Sequence, residues 1–155
     1  MANKQRVCCV AVDENKWSEQ AFLWYVENNY TKEDTLVVLH VQSIPDLSCF
    51  NLLGGIRVLE EFNEKLRATV ENEDKLKLKY NLLCNQLNIE FKFVTVEKSS
   101  SVGKAVCDFL CSNSVNVVVL GKRWLSNVES FILGSTSDYV LHHSEIPVII
   151  VPFTR

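Results

Sequence analysis

The sequence predicts an α/β fold: a single, open, doubly wound sheet of five parallel strands with helices on both faces. Three observations predict it. The runs Thr35–Val41 and Val115–Leu120 are apolar almost without a break, as strands buried on both faces read. Between the strand-like runs lie segments with the 3–4 apolar spacing of helices. The two kinds of segment alternate from Arg6 to Val151, the pattern of a parallel sheet with crossover helices.

The first strand is expected over Arg6–Asp13, where Val7, Val10 and Val12 supply β-branched bulk. Asp13-Glu14-Asn15 stops it, and a helix runs from about Ser18 to Asn28 with Trp17, Ala21 and Trp24 on its packed face. Thr35–Val41 is the second strand, followed by a loop from Ser43 to Gly55. A long amphipathic helix over 57–87 carries Leu59, Phe62, Leu66, Leu76, Tyr80, Leu83 and Leu87. Thr69 and Glu73 interrupt its stripe and are expected to face water or mark a bend. Glu73→Ala should then cost under about 0.5 kcal/mol, and Leu66→Ala about 2–5 kcal/mol if that leucine is fully buried. Ile89–Val96 alternates as a strand with one wetter face. Ser99–Ser101 offers caps to a short helix carrying Val102, Val106, Phe109 and Leu110. Val115–Leu120 is the fourth strand, a helix runs from Ser135 to about His143, and Ile146–Val151 is the last strand.

A chain of 155 residues, 47% hydrophobic with a net charge of -3, suits one domain over residues 1–155 and excludes global disorder. No apolar run approaches the roughly 20 residues of a membrane helix, and the first residues lack a signal-peptide cleavage site. An acidic pI of about 5.6 argues against a nucleic-acid partner. The six cysteines include no Cys-x-x-Cys pair. Cys8, Cys9 and Cys111 sit in or beside apolar runs, where a thiol acts as a small hydrophobe. Neither a disulfide framework nor a zinc site is expected, and the compartment is read as reducing, the cytoplasm first.

In open parallel sheets, ligands bind outside the carboxyl ends of the strands, where strand order reverses. In the order 3-2-1-4-5 the crevice lies between Asp13-Glu14 and Gly121-Lys122-Arg123. In the order 2-1-3-4-5 it lies between strand 1 and Glu97-Lys98-Ser99-Ser100. Gly121 ends a strand and Gly134 precedes Ser135-Thr136-Ser137-Asp138 at a helix start, where free N–H groups favour an anion. The plainer reading is a turn at Gly134 and a capping box between Ser135 and Asp138.

Val10-Ala-Val-Asp13 with Ser18-x-x-Ala21-x-x-Trp24 and His40-Val41, and Val117-Val-Val-Leu-Gly121 with Leu133-Gly-Ser-Thr-Ser through Pro147-Val-Ile-Ile-Val151, resemble the universal stress protein family. The resemblance covers the chain except about Ser43 to Glu73. It implies the strand order 3-2-1-4-5, a homodimer, and an adenine-nucleotide site for ATP, ADP or AMP, with magnesium as a further expectation. It would place Asp13 at the ribose or a metal, and Val41 at the adenine through its backbone. Gly121, Gly134, Ser135 and Thr136 would line the phosphates, and Val12, Lys122, Arg123 and Trp124 are expected to complete the nucleotide site, with Lys122 and Arg123 offsetting nearby carboxylates if they point inward. The family motif runs Gly, two residues, Gly, nine residues, Gly, then Ser or Thr. Trp124 stands at its second glycine, and Glu14 where many relatives carry Gly. An indole at 124 is expected to obstruct the phosphate groove, so Trp124→Gly should tighten ATP binding several-fold, roughly 1 kcal/mol or more. Two carboxylates, Asp13 and Glu14, would repel a triphosphate unless a divalent cation intervened.

Other residues have bland readings. His142 and His143 suit a helix C-terminus, and His40 a single satisfied hydrogen bond. Gly103-Lys104 and Gly121-Lys122 lack the remaining residues of a phosphate-binding loop. No general base is assigned, so ATP hydrolysis ranks below two readings: a nucleotide-binding signalling dimer and a nucleotide-free interaction dimer. In the order 3-2-1-4-5 the last strand is an apolar edge that invites pairing. A homodimer built on Val148, Ile149, Ile150 and Val151 is therefore expected.

Overall fold

Strand β1 (Val7–Val12) lies at the centre of a five-stranded parallel sheet of order β3-β2-β1-β4-β5. The structure, a computed structural model, describes residues 5–50, 52–122 and 133–153. In chain order β1 is followed by α1 (Lys16–Asn28), β2 (Thr35–Gln42), α2 (Ile56–Leu87), β3 (Phe91–Glu97), α3 (Val102–Ser112), β4 (Val117–Gly121), α4 (Ser135–His143) and β5 (Val148–Val151). Two short 3₁₀ turns, Leu47–Cys49 and Leu52–Gly54, lie between β2 and α2. Of the two orders that the residues left open, the observed one places the reversal between β1 and β4.

Strand alternation feeds two cores. Cys8, Val10, Leu36 and Val38 point to one face, where Ala21, Phe22 and Tyr25 of α1 and Leu76, Tyr80 and Cys84 of α2 cover them. Cys9, Val37, Leu39, Val118 and Leu120 point to the other, under Val106 and Leu110 of α3 and Val140 of α4. All these side chains are buried, which makes the near-continuous apolar runs of the central strands a necessity. Cys8 and Cys9 pack as small hydrophobes, whereas Cys111 lies exposed on α3, against the reading from its apolar neighbours. Ser101 caps α3 as expected, its hydroxyl accepting from Lys104 N at 3.1 Å.

The packed face of α1 is Ser18, Ala21, Phe22 and Tyr25, not Trp17/Ala21/Trp24. Trp24 is 37% exposed. Both stripes share Ala21 and the 3–4 spacing, and the choice between them depends on how α1 is rolled against the sheet.

The long helix α2 shows a second difference. At 32 residues it spans about 48 Å, roughly twice the length of an eight-residue strand. Its C-terminal half packs on the sheet, whereas Leu59 is half exposed and Ile56 76% exposed. Glu73 marks the changeover and does not face water. Its carboxylate accepts from Gln42 Nε2 at the end of β2 and from Thr95 Oγ1 in β3, both at 2.7 Å, and pairs with Lys77. These partners hold its carboxyl below the usual carboxylate range, the Lys77 bond most of all. A polar residue in an apolar stripe is here the bolt between helix and sheet edge. Glu73→Ala should therefore cost about 1–2 kcal/mol, and Thr69→Ala under about 0.5 kcal/mol. Urea denaturation of the two variants compares them directly. Leu66, one turn further out, is only part-buried, so its truncation falls below the range for a core leucine.

Candidate functional site

The reversal between β1 and β4 opens a cleft of about 220 Å³ at the carboxyl end of the sheet. Its floor is Ala11, Leu39, Val41 and Leu120, side chains of the α3/α4 face. Val102 and Val106 of α3 form one wall, and Gly134, Ser135, Thr136 and Ser137 at the start of α4 form another. Asp13, Trp17 and Ser18 close the side toward α1. One end is thus apolar, and the other is a helix N-terminus.

Most of the expected site residues meet here. Val12, Asp13, Val41, Gly121, Gly134, Ser135 and Thr136 all line the cleft. The side chain of Val12 packs in the opposite core, so its share is main-chain. Lys122 follows Gly121 but does not line the cleft, and its N–H donates to Val151 O at 2.8 Å. Arg123 and Trp124 lie outside the described residues. The residues not foreseen are Ala11, Trp17, Ser18, Leu39, Val102, Val106, Leu120 and Ser137. The β-branched pair Val102/Val106 at helical spacing was the available signal, but spacing does not say that one end of the helix face overhangs a cleft.

Three local arrangements build the site. Asp13 organises the entry to α1: its Oδ1 accepts from Asn15 N at 2.9 Å and Ser18 Oγ at 2.8 Å, and its Oδ2 from Asn15 Nδ2 at 2.9 Å. Ser18 in turn accepts from Asp13 N at 3.0 Å. The carboxylate therefore closes an Asx turn between β1 and α1 before it meets any ligand. It is the only charged side chain among the described residues that line the cleft.

Gly121 brings α1 against β4. A β-carbon built there falls 2.4 Å from Trp17 O and 2.7 Å from Trp17 C. The glycine the family resemblance assigns to phosphate approach is thus demanded first by backbone packing. At the rim, Trp17 meets Phe153 edge to face at 4.9 Å, and Lys16 Nζ lies within 5 Å of both rings.

Gly134 is the N-cap of α4 and makes no side-chain cap bond. Ser135 is the first helical residue, which corrects the expected capping box with Asp138. The first helical hydrogen bond runs from Asp138 N to Gly134 O at 2.9 Å. The N–H groups of residues 135–137 precede it and have no acceptor within the helix. Ser137 is buried and its Oγ reaches toward Gly121 O at 3.4 Å, tying α4 to the end of β4.

The histidines hold to their bland readings. His40 Nδ1 lies 3.1 Å from Val12 O, and His142 and His143 Nδ1 lie 2.8 Å from the carbonyls of Asp138 and Tyr139. No group of three His, Cys, Asp or Glu able to hold a metal occurs among the described residues.

The cleft lies at the β1/β4 reversal of a 3-2-1-4-5 sheet, with Gly121 and Gly134-Ser135 on its walls, and a model described as the universal stress protein family matches residues 5–152. The chain belongs to the universal stress protein family. A universal stress protein of Bacillus subtilis is 26% identical over 142 residues, 92% of this chain and 95% of that one. The solved structure of a universal stress protein of Methanocaldococcus jannaschii superposes with a TM-score of 0.69 at 18% identity, over 97% of this chain and 98% of that one. A family protein from Arabidopsis thaliana, solved with AMP bound, superposes with a TM-score of 0.64 at 16% identity, over 96% and 92%. These structural likenesses carry the fold. No helix among the described residues of this universal stress protein is long and apolar enough to cross a membrane.

Proposed function

We propose that residues 1–155 form one unit that binds an adenine nucleotide in the cleft between the ends of β1 and β4 and acts as a stress-response signalling dimer in the cytoplasm. The observation that carries the binding reading is the cleft's polarity. An apolar slot of Ala11, Leu39, Val41, Val102 and Val106 suits a purine, and the free N–H groups of α4 suit a phosphate. The Arabidopsis relative with AMP bound supports the same ligand class. Val41 offers main-chain groups at the apolar end, and Gly121, Gly134, Ser135 and Thr136 stand at the phosphate end. Asp13, already engaged by Asn15 and Ser18, has spare acceptor capacity toward a ribose hydroxyl. Magnesium, where it accompanies the ligand, would be held by the nucleotide's own phosphates and would screen them from Asp13.

Asp13, an acidic side chain on the cleft wall, repels each added phosphate, which favours a monophosphate over a triphosphate. Calorimetric titration with AMP, ADP and ATP, with and without magnesium, tests this. AMP is expected to bind most tightly in magnesium-free buffer. Ser135→Pro removes one free N–H while suiting the first turn of a helix and should weaken AMP several-fold, about 1 kcal/mol. Heat evolved by none of the three nucleotides would leave the interaction-dimer reading in possession.

The dimer is proposed through β5. Val148, Ile149 and Ile150 are only part-buried on an edge strand, and pairing with a second copy satisfies its open backbone groups. Light scattering is expected to give twice 17.7 kDa at high micromolar concentration, and a monomer there overturns it.

A further inference from the structure

The two helices that wall the cleft touch each other just behind it, and the contact leaves no room. Gly103 is the second residue of α3 and is buried. A β-carbon built on it falls 2.7 Å from Tyr139 Cβ and 2.9 Å from Tyr139 Cγ and Cδ1. Turning the Tyr139 ring moves Cγ and Cδ1 but not Cβ, which the α4 backbone fixes. The ring is also braced from its own helix: it stacks on His143 with centroids 3.9 Å apart and planes 9° from parallel. A residue with a side chain at 103 therefore cannot be accommodated by a rotamer change, only by moving a helix. The neighbours of this contact are cleft residues. Val102 adjoins Gly103 and Val106 lies one turn on, while Ser135 and Thr136 lie one turn before Tyr139.

We propose that the Gly103–Tyr139 contact sets the width of the cleft and so its selectivity for the size of the bound base. This rests on the nucleotide reading above. Gly103 is not among the cleft-lining residues; it is a positioning residue that acts through Val102 and Val106 on one wall and Ser135 and Thr136 on the other. Ordinary carbon–carbon contact is about 3.5–4.0 Å, so a methyl at 103 drives α3 and α4 apart by about 1 Å. With the phosphate seated at the start of α4, a shift of α3 by that much withdraws Val102 and Val106 from the floor of Ala11, Leu39 and Val41, so the slot holds a purine loosely and admits one that was too broad.

The test is calorimetric titration of wild type, Gly103→Ala and the double variant Gly103→Ala/Tyr139→Gly with AMP and with 2-chloro-AMP, whose base is broader at a position remote from the ribose. Wild type is expected to prefer AMP at least tenfold. Gly103→Ala should bind AMP about tenfold more weakly, with its preference falling below threefold. The double variant moves the missing β-carbon from α3 to α4, and its preference should return even if its thermal stability does not. Equal weakening of both ligands in Gly103→Ala would mean that Gly103 only supports the fold, and the proposal fails. It fails equally if Gly103→Ala behaves as wild type, or if wild type does not discriminate. If Gly103→Ala does not fold, the double variant decides: the wild-type preference supports the proposal and its loss overturns it. Wild type binding neither ligand overturns the nucleotide reading and this proposal together. Binding with an unaltered preference in Gly103→Ala overturns this proposal alone.

Discussion

Gly121→Ala is expected to destabilise the folded chain by about 3 kcal/mol, at the upper end of what a single added methyl does. The reason is what the methyl meets. Its carbon would fall 2.4 Å from Trp17 O and 3.0 Å from Ser18 N, and these are backbone atoms at the start of α1, with no rotamer to change. Either α1 lifts from β4, or β4 bends away from β1. Both movements strain the Ser18–Asp13 bonds that close the β1–α1 turn, so the cleft should deform with the fold. Urea denaturation should show a lower midpoint with an unchanged slope, and AMP titration of the residual folded protein a weakened affinity. A midpoint equal to that of wild type would show that α1 can slide at no cost and that the glycine serves only the ligand.

Arg6→Ala should have the next largest effect, about 2–3 kcal/mol. Arg6 grips Asp34 with two nitrogens, Nε at 2.8 Å and Nη2 at 2.6 Å, and Nη2 also donates to Asn29 O at 2.8 Å. One residue thus ties the start of β1 to the start of β2 and the end of α1. The Asp34 side chain is 4% exposed and that of Arg6 41%. Removing the cation strands a buried carboxylate, which costs about 3–5 kcal/mol in a fully buried pair. The exposure of Arg6 lowers that figure, and Tyr25 Oη and Thr31 N remain as donors to Asp34.

The same pair predicts a pH dependence. The Arg6 guanidinium holds the Asp34 carboxyl below its ordinary value, against the opposing effect of burial. A group depressed in this way contributes its full stability above its unfolded pKa of about 4 and loses it as pH falls through the folded value. Wild type should therefore weaken on acidification below about pH 4 more steeply than Asp34→Asn. Parallel stability profiles for the two proteins between neutral and acid pH would dismiss the pair as the cause.

The expected elements were legible because each was written in local chemistry. Val115–Leu120 could hardly be anything but an inner strand, and Ser101 could be read as a cap from its place before Val102. Element ends were less legible. β4 begins at Val117 and β5 at Val148, two residues inside the apolar runs, because hydrogen-bonded partners and not hydrophobicity decide where a strand starts. The site was legible where glycine and hydroxyl residues stood at strand and helix ends, as at Gly121 and Gly134-Ser135. It was not legible where its walls are ordinary core residues, as at Val102, Val106 and Leu39, since a valine facing a ligand and a valine facing a leucine have the same spacing.

The sequence by itself determined the alternation of strands and helices, the two-sided burial of the central strands, and the glycines and serines at the cleft. All of these follow from contacts within a turn or from the period of one element. Only the tertiary structure decided which face of α1 is packed, that Glu73 is a bolt and not a solvent-facing break, that Asp13 first closes the turn into α1, and that Gly103 and Gly121 are glycines because another backbone or β-carbon fills their space. Each depends on atoms from an element distant in sequence, and no local pattern records the distance between two helices.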